Sequence, residues 1–200
     1  MNSPTIIFDL MDTIVVDPFY TIFPKYFNMP IKELFKIKNP NNWPKFEVEK
    51  ISEKEYFEQF FLPNSGHQID DPERLKSAIF SAYCFIPGME DFLFKLNSLG
   101  FNLWVHSNYS FWFEEVRKRL NLDRFFQGYA VSYKIGLRKP DPAAYLATLG
   151  LMNKKPEDCI FIDDRDINII AAHKVGLKAI QFTSLEKLRE DFKDSDIVPN

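Results

Sequence analysis

The chain is 200 residues long, 46% apolar and 26% charged, with a formal net charge of -3. That balance belongs to one globular domain, or one domain with a modest insertion, and excludes a disordered, collagenous or coiled-coil chain. There is no basic block for nucleic acid, no run near the ~18 apolar residues of a membrane span, and no expected secretory or transit segment, so a cytoplasmic protein is expected. Cys84 and Cys159 stand far apart without a partner at metal spacing and are expected to be reduced thiols. Aromatic residues are abundant: 21 Phe, 8 Tyr and 3 Trp. They fill either a Phe-rich core and insertion or a pocket for a flat substrate; composition does not choose.

The first element is Thr5-Ile6-Ile7-Phe8, a continuous apolar run ending on Asp9, which predicts a buried parallel strand. Residues 17–85 carry no strand pattern but four helical stretches, at 19–27, 31–38, 53–62 and 72–82. Met89, Phe92, Leu93, Leu96 and Leu99 then fall on one helical stripe, entered through Pro87-Gly88 and stopped by Gly100. Residues 103–105 predict a second strand. Ser110 is expected to cap the next helix, which ends near Leu120. A third strand follows at 129–131. Pro142 opens another helix, expected to stop at Gly150. Residues 159–162 read as the fourth strand, 167–175 as a helix stopped by Gly176, and 179–182 as the last strand.

Strand alternating with helix predicts the α/β class: a three-layer, Rossmann-like parallel sheet core. A βαβ unit takes roughly 30 residues. The interval from Asp9 to the second strand is about three times that. A small helical cap domain over 17–85 is therefore expected, inserted into a discontinuous core of 1–16 and 86–200.

Ligands of open α/β sheets bind beyond the carboxyl ends of the strands. Asp9 follows the first strand and His106-Ser107-Asn108 the second. Arg138-Lys139-Pro140-Asp141-Pro142 comes after the third, and Asp163-Asp164 after the fourth. Asp9 and Asp164, from adjacent strands, make a hard oxygen site suited to Mg²⁺. Asp9 is then able to attack phosphorus and form an aspartyl-phosphate. Ser107, Asn108 and Lys139 are expected to hold phosphoryl oxygens, with Asp163 and Asn168 orienting the metal shell from behind. Tyr109 and Trp112, with Trp43, either stack on a flat substrate or pack the core and cap. No histidine has a partner at metal spacing; His106 reads as a strand-end residue rather than a base.

These four segments resemble the motifs of the haloacid dehalogenase superfamily: Phe8-Asp9-Leu10-Met11-Asp12-Thr13, Val105-His106-Ser107-Asn108, Lys139 before Pro140-Asp141-Pro142, and Phe161-Ile162-Asp163-Asp164 with Asn168. The insertion looks like the C1 helical cap of that family. The resemblance implies Asp9 as nucleophile, Asp9, Asp164 and the Met11 carbonyl as metal ligands, and a small phosphorylated metabolite as substrate. The stretch from Asp9 to Tyr20, Ser107-Asn108-Tyr109 with Trp112, Arg138-Lys139-Pro140-Asp141-Pro142, and the segment from Cys159 to Arg165 are similar to the flavin mononucleotide (FMN) hydrolases of plant plastids. That similarity implies conversion of FMN to riboflavin.

One position departs from the family. Its phosphatases usually carry a second Asp two residues after the nucleophile, to protonate the leaving group, and here that residue is Met11. Asp12 is the nearest acidic residue, either as acid/base or as a turn-stabilising Asx contact; Asp17 and Asp163 are further candidates. Met11 also admits an alternative class: a weak or inactive module that binds a phosphorylated ligand. A dehalogenase-type enzyme fits less well, since dehalogenases do not keep the Asp163-Asp164 pair.

Overall fold

The first strand is buried along its whole length because it lies at the centre of a sheet covered on both faces. A computed structural model describes residues 4–194 of the chain; the ends of the expected core, 1–3 and 195–200, lie outside them. Strands β1 (Thr5–Phe8), β2 (Asn102–Ser107), β3 (Gly128–Val131), β4 (Cys159–Asp163) and β5 (Lys178–Gln181) form one parallel sheet of order β3-β2-β1-β4-β5. β1 pairs with β2 on one side and β4 on the other, so Phe8 faces Val105 and Ile162. All five expected strands are present.

Eleven α-helices are formed among the described residues: α1 (Phe19–Tyr26), α2 (Ile31–Ile37), α3 (Asn42–Phe46), α4 (Glu53–Glu58), α5 (Pro72–Ser81), α6 (Met89–Ser98), α7 (Phe113–Arg119), α8 (Ser132–Ile135), α9 (Pro142–Met152), α10 (Asp166–Lys174) and α11 (Leu185–Asp194). Strand alternation divides the core between the two faces of the sheet. Ile6, Phe8, Ile160 and Ile162 pack with Phe92, Leu93 and Leu96 of α6, Val116 of α7 and Leu188 of α11. Ile7 and Phe161 point the other way, onto Tyr145 and Leu149 of α9 and Ala172 of α10. The result is the expected three-layer α/β architecture. None of these helices is long and apolar enough to cross a membrane.

Helices α1 to α5 occupy the interval between β1 and α6. The chain enters and leaves them through a paired neck: Val16 N–H donates to the Cys84 carbonyl at 3.0 Å and Ile86 N–H to the Ile14 carbonyl at 2.9 Å. Local chemistry sets their starts. Ser52 and Glu55 form a reciprocal capping box on α4, and Asp71 accepts from Arg74 N–H ahead of Pro72 on α5. Their interior is a continuous aromatic cluster. Phe46 stacks on Tyr56 at 4.6 Å between centroids, and Phe23 on Phe60 at 5.2 Å. Most of the aromatic excess is thus spent on packing.

The structure corrects several expected boundaries. Gly150 does not stop α9, which runs on to Met152 and ends on Asn153 at φ 50°. Asparagine tolerates the left-handed conformation because its short side chain bonds locally. Ser110 does not cap α7; its hydroxyl accepts from Trp112 N–H before the helix begins at Phe113. The stretch 53–62 is helical only to Glu58. Helices α3, α8 and α11 were not among the expected elements.

Candidate active site

The motif residues converge because four loops leave the same edge of the sheet. Asp9 directly follows β1, and its N–H donates to the Ile162 carbonyl at 2.8 Å, which carries the β1–β4 ladder to the edge. Asp163 is the last residue of β4 and Ser107 the last of β2. Lys139 arrives on the loop between α8 and α9.

Lys139 is the hub of this edge. Its ammonium, only 1% exposed, donates to Asp9 Oδ1 at 2.8 Å, to Asp163 Oδ2 at 2.6 Å and to the His106 carbonyl at 2.7 Å. Those three bonds use all of its donors. In this arrangement Lys139 supplies charge; a direct bond to a phosphoryl oxygen requires one of the three to be given up. Burial works against the ammonium, but Asp163 and Asp9 outweigh it and hold its pKa above the usual lysine value.

The carboxylates differ in what remains free. Asp163 is fully buried and accepts from Lys139, from Arg165 N–H at 2.9 Å, and from Asn168 Nδ2 on both oxygens at 2.9 and 3.0 Å. Its two oxygens are thereby saturated. Asp9 keeps Oδ2 clear of Lys139. Burial pushes its carboxyl up to about 7, with Lys139 opposing and Asp163 and Asp164 adding. Asp164 is pushed up to about 6, mainly by burial and then by Asp163 and Asp12. His106 is held well below the usual histidine value by burial and by Lys139, so it is neutral and no base.

These residues suit a hard divalent cation. Asp9 and Asp164 each offer an oxygen, and an oxygen of Asp163 lies with them, all within 4.8 Å of one another. One buried ammonium opposes the three carboxylates, which leaves two negative charges to offset. Asn168 Oδ1 is buried beside them without a hydrogen-bond partner. Oxygen donors in that number and charge are what Mg²⁺ takes.

The cluster opens into a cleft of about 540 Å³ whose lining includes Asp9, Met11, Asp12, Ser107, Asn108, Tyr109, Trp112, Lys139, Asp164 and Asn168. One expected contact takes a different form. The Asn108 amide is occupied: Nδ2 donates to the Lys139 carbonyl and Oδ1 accepts from Lys139 N–H, each at 2.8 Å. It braces the Lys139 loop rather than offering its side chain to phosphate. Tyr109 and Trp112 are 5% and 3% exposed and packed among other rings. Trp112 meets Phe46, Tyr56 and Phe57 within 6 Å, Tyr109 packs on Trp43 at 5.2 Å, and the Tyr109 hydroxyl bonds that of Tyr83. Both are packed among other rings and also border the cleft. Asp12 takes a left-handed φ of 55° and accepts Asp17 N–H on Oδ1 at 2.9 Å, a turn-closing contact that leaves Oδ2 without a hydrogen bond among the described residues.

Sequence reasoning missed other lining residues. Buried Glu47, just after α3, pairs with Arg138 beside Lys139, and Lys38 and Arg165 also face the cleft. Nothing in the stretch 46–50 marks Glu47 as buried. Arg138 stands next to a motif lysine, the one signal that was legible. Phe19, Tyr20 and Phe35 form an aromatic rim, with Tyr20 54% and Phe35 52% exposed.

Comparison with known proteins follows the same lines. The family model described as haloacid dehalogenase-like hydrolase matches residues 4–176. The chain is 37% identical over 194 residues to chloroplast flavin mononucleotide hydrolase 1 of Arabidopsis thaliana, covering 97% of this chain and 78% of that one. A sesquiterpene phosphatase of Aspergillus oryzae is 29% identical over 158 residues, 76% of this chain and 78% of that one. Among solved structures, an enzyme of the same family from Bacteroides thetaiotaomicron, in complex with magnesium and inorganic phosphate, matches with a TM-score of 0.73 at 18% identity over 96% of this chain and all of that one.

Proposed function

This chain belongs to the haloacid dehalogenase-like hydrolases, and from that premise we propose a magnesium-dependent phosphatase that uses Asp9 as nucleophile and takes FMN as substrate. The observation that carries the reading is the Lys139 clamp: a buried ammonium holding Asp9 against Asp163 at the floor of an aromatic-rimmed cleft. In this reading Lys139 fixes Asp9 through Oδ1 and leaves Oδ2 for attack on phosphorus. Asp163 and Asn168 hold the clamp from behind. Ser107 lines the phosphate end of the cleft, and Asn108 keeps the Lys139 loop in register. Asp9, Asp164 and the Met11 carbonyl would hold Mg²⁺, with Asp163 and Asn168 behind it. When bound, Mg²⁺ offsets the charge of the carboxylates and of the incoming phosphate.

We assign residues 17–85 as the cap, joined at the Val15–Phe85 neck. Its rim of Phe19 with half-exposed Tyr20 and Phe35 is suited to a flat ring, and the relative at 37% identity supports the flavin. The test is phosphate release with Mg²⁺ from FMN, glyceraldehyde 3-phosphate and p-nitrophenyl phosphate. Release fastest from FMN is expected. Release from the other esters alone removes the flavin and keeps the mechanism. No release from any ester overturns the reading in favour of a phospho-ligand binding module.

Removal of the metal has a pH signature. Raised carboxyl pKa values favour the metal-free fold at low pH. That contribution is complete below the unfolded value near 3.8 and is lost as pH rises through about 6 for Asp164 and about 7 for Asp9. A divalent cation needs the ionised carboxylates, so it binds better at high pH. At a hundredfold excess over Kd, Mg²⁺ is expected to add about 2.7 kcal/mol at pH 8, or roughly 5–10 °C in Tm, and much less at pH 5. Equal shifts at the two pH values in thermal melts would contradict the assigned ligands.

A further inference from the structure

The leaving alcohol needs a proton, and the thioether of Met11 has none to transfer. The loop from Leu10 to Asp17 folds tightly back on itself. Asp12 N–H donates to the Val15 carbonyl at 2.7 Å, and Ile14 and Val15 N–H both donate to the Leu10 carbonyl at 2.9 Å. Asp17, eight residues beyond Asp9, is thereby returned beside Asp12, and both line the cleft that holds Asp9. Each of the two carboxylates accepts one backbone N–H on Oδ1, and they differ in where that bond leads. Asp12 receives the Asp17 N–H and closes the turn. Asp17 Oδ1 accepts from Phe19 N–H at 2.9 Å, and among the described residues its carboxylate accepts no other hydrogen bond. Oδ2 is therefore free to carry a proton.

We propose that Asp17 is the general acid and base of this enzyme, in the role that Met11 cannot fill; the proposal rests on the reading of Asp9 as nucleophile. The groups around Asp17 favour its protonated form. Asp12 faces it from its own loop and Asp164 from the end of β4. Tyr20 of α1, Tyr56 of α4, Tyr83 after α5 and Tyr109 after β2 are its other titratable neighbours; the Phe19 N–H opposes the shift, and no cation acts on it. Burial, the largest influence, pushes its carboxyl up to about 6. An acid near the working pH carries a proton to the ester oxygen most effectively.

The steps balance. Asp9 Oδ2 bonds to phosphorus as the phosphorus–ester oxygen bond breaks. The departing electron pair stays on the ester oxygen, which takes the Asp17 proton and leaves as alcohol. Water then attacks phosphorus while the Asp17 carboxylate accepts its proton. The bond to Asp9 breaks, inorganic phosphate leaves, and both side chains return to their starting forms.

Asp17→Asn is the test, since the amide oxygen still accepts from Phe19 N–H. FMN has a primary alkoxide leaving group and needs the acid; p-nitrophenyl phosphate has a good leaving group and does not. Turnover of FMN is expected to fall ~10²–10⁴-fold. With p-nitrophenyl phosphate, a burst of one nitrophenol per enzyme is expected to survive and phosphorylated protein to accumulate, because the hydrolytic step has lost its base. Met11→Asp in the Asp17→Asn background is expected to restore FMN turnover. Equal losses on both esters without a burst, or the same split produced by Asp12→Asn instead, overturn the proposal. If Asp17→Asn does not fold, Met11→Asp in the otherwise unchanged chain decides: no gain supports Asp17, and a gain of ~10²-fold or more overturns it. A burst that survives in Asp9→Asn refutes the nucleophile itself, separately from Asp17.

Discussion

Asp9→Asn is expected to lose phosphate release by ~10⁴-fold or more while keeping, or raising, its melting temperature. The activity follows from chemistry: an amide oxygen is a poor nucleophile, and no second group takes over bond formation to phosphorus. The stability follows from the burial of Asp9, whose carboxyl is already pushed up to about 7. An ionised Asp9 therefore weakens the metal-free fold above neutrality, and a neutral amide relieves that burden. Lys139 retains Asp163 and the His106 carbonyl in either case. Phosphate release and thermal melts at pH 8 check the two halves together. An Asp9→Asn protein that folds and still turns over removes the mechanism.

Lys139→Met is expected to fail on both counts. It leaves Asp9 and Asp163 without their shared cation and the His106 carbonyl without its donor. Breaking a buried pair by removing one partner costs about 3–5 kcal/mol, or roughly 6–20 °C in Tm at this chain length. Loss of a preorganised charge at the reacting group costs ~10²–10³-fold in turnover. The stability loss shrinks as pH falls, because the Asp9 carboxyl then takes a proton. Melts at pH 8 and pH 5 read this directly. A Lys139→Met protein that melts like its parent at pH 8 shows that the clamp is not what joins these loops. The two variants differ in kind: one removes the reacting group and the other its support.

Period and strand-end chemistry made the sheet legible. Five short apolar runs, each with a polar or charged residue near its carboxyl end, fixed both the strands and the edge where Asp9, Ser107, Lys139 and Asp164 gather. Amphipathic spacing reached most helices. It also runs through α11, where Leu185, Leu188 and Phe192 are buried at i, i+3 and i+7, although that helix was not among those expected. α3 carries an asparagine and an internal Pro44, so local propensity argues against it; it forms where Phe46 is buried against Tyr56. Gly150 illustrates the reverse error, a glycine tolerated inside a helix because α9 is packed against the sheet. At the site, residue types were legible and engagement was not. No linear pattern tells that the Asn108 amide is spent on Lys139, that Trp112 is packed among other rings, or that Asp12 closes a turn. Those facts depend on contacts between segments 30 or more residues apart, or on the handedness of one backbone position.

The central place of β1 also governs when the protein can assemble. Its partner on one side, β2, begins about a hundred residues later, and β4 on the other side about a hundred and fifty. Pairing of this kind is non-local, and the loop closure it requires makes folding slow. At ~5–20 residues per second, a nascent β1 leaves the ribosome roughly eight to thirty seconds before β4 does. During that interval the run Thr5-Ile6-Ile7-Phe8 has two open hydrogen-bonding edges and two bare apolar faces, a segment that invites chaperone capture or intermolecular pairing. Asp9, at its end, meets Lys139 and Asp163 only when the last central strand docks, so recovered turnover in a refolding experiment would report the completion of the sheet.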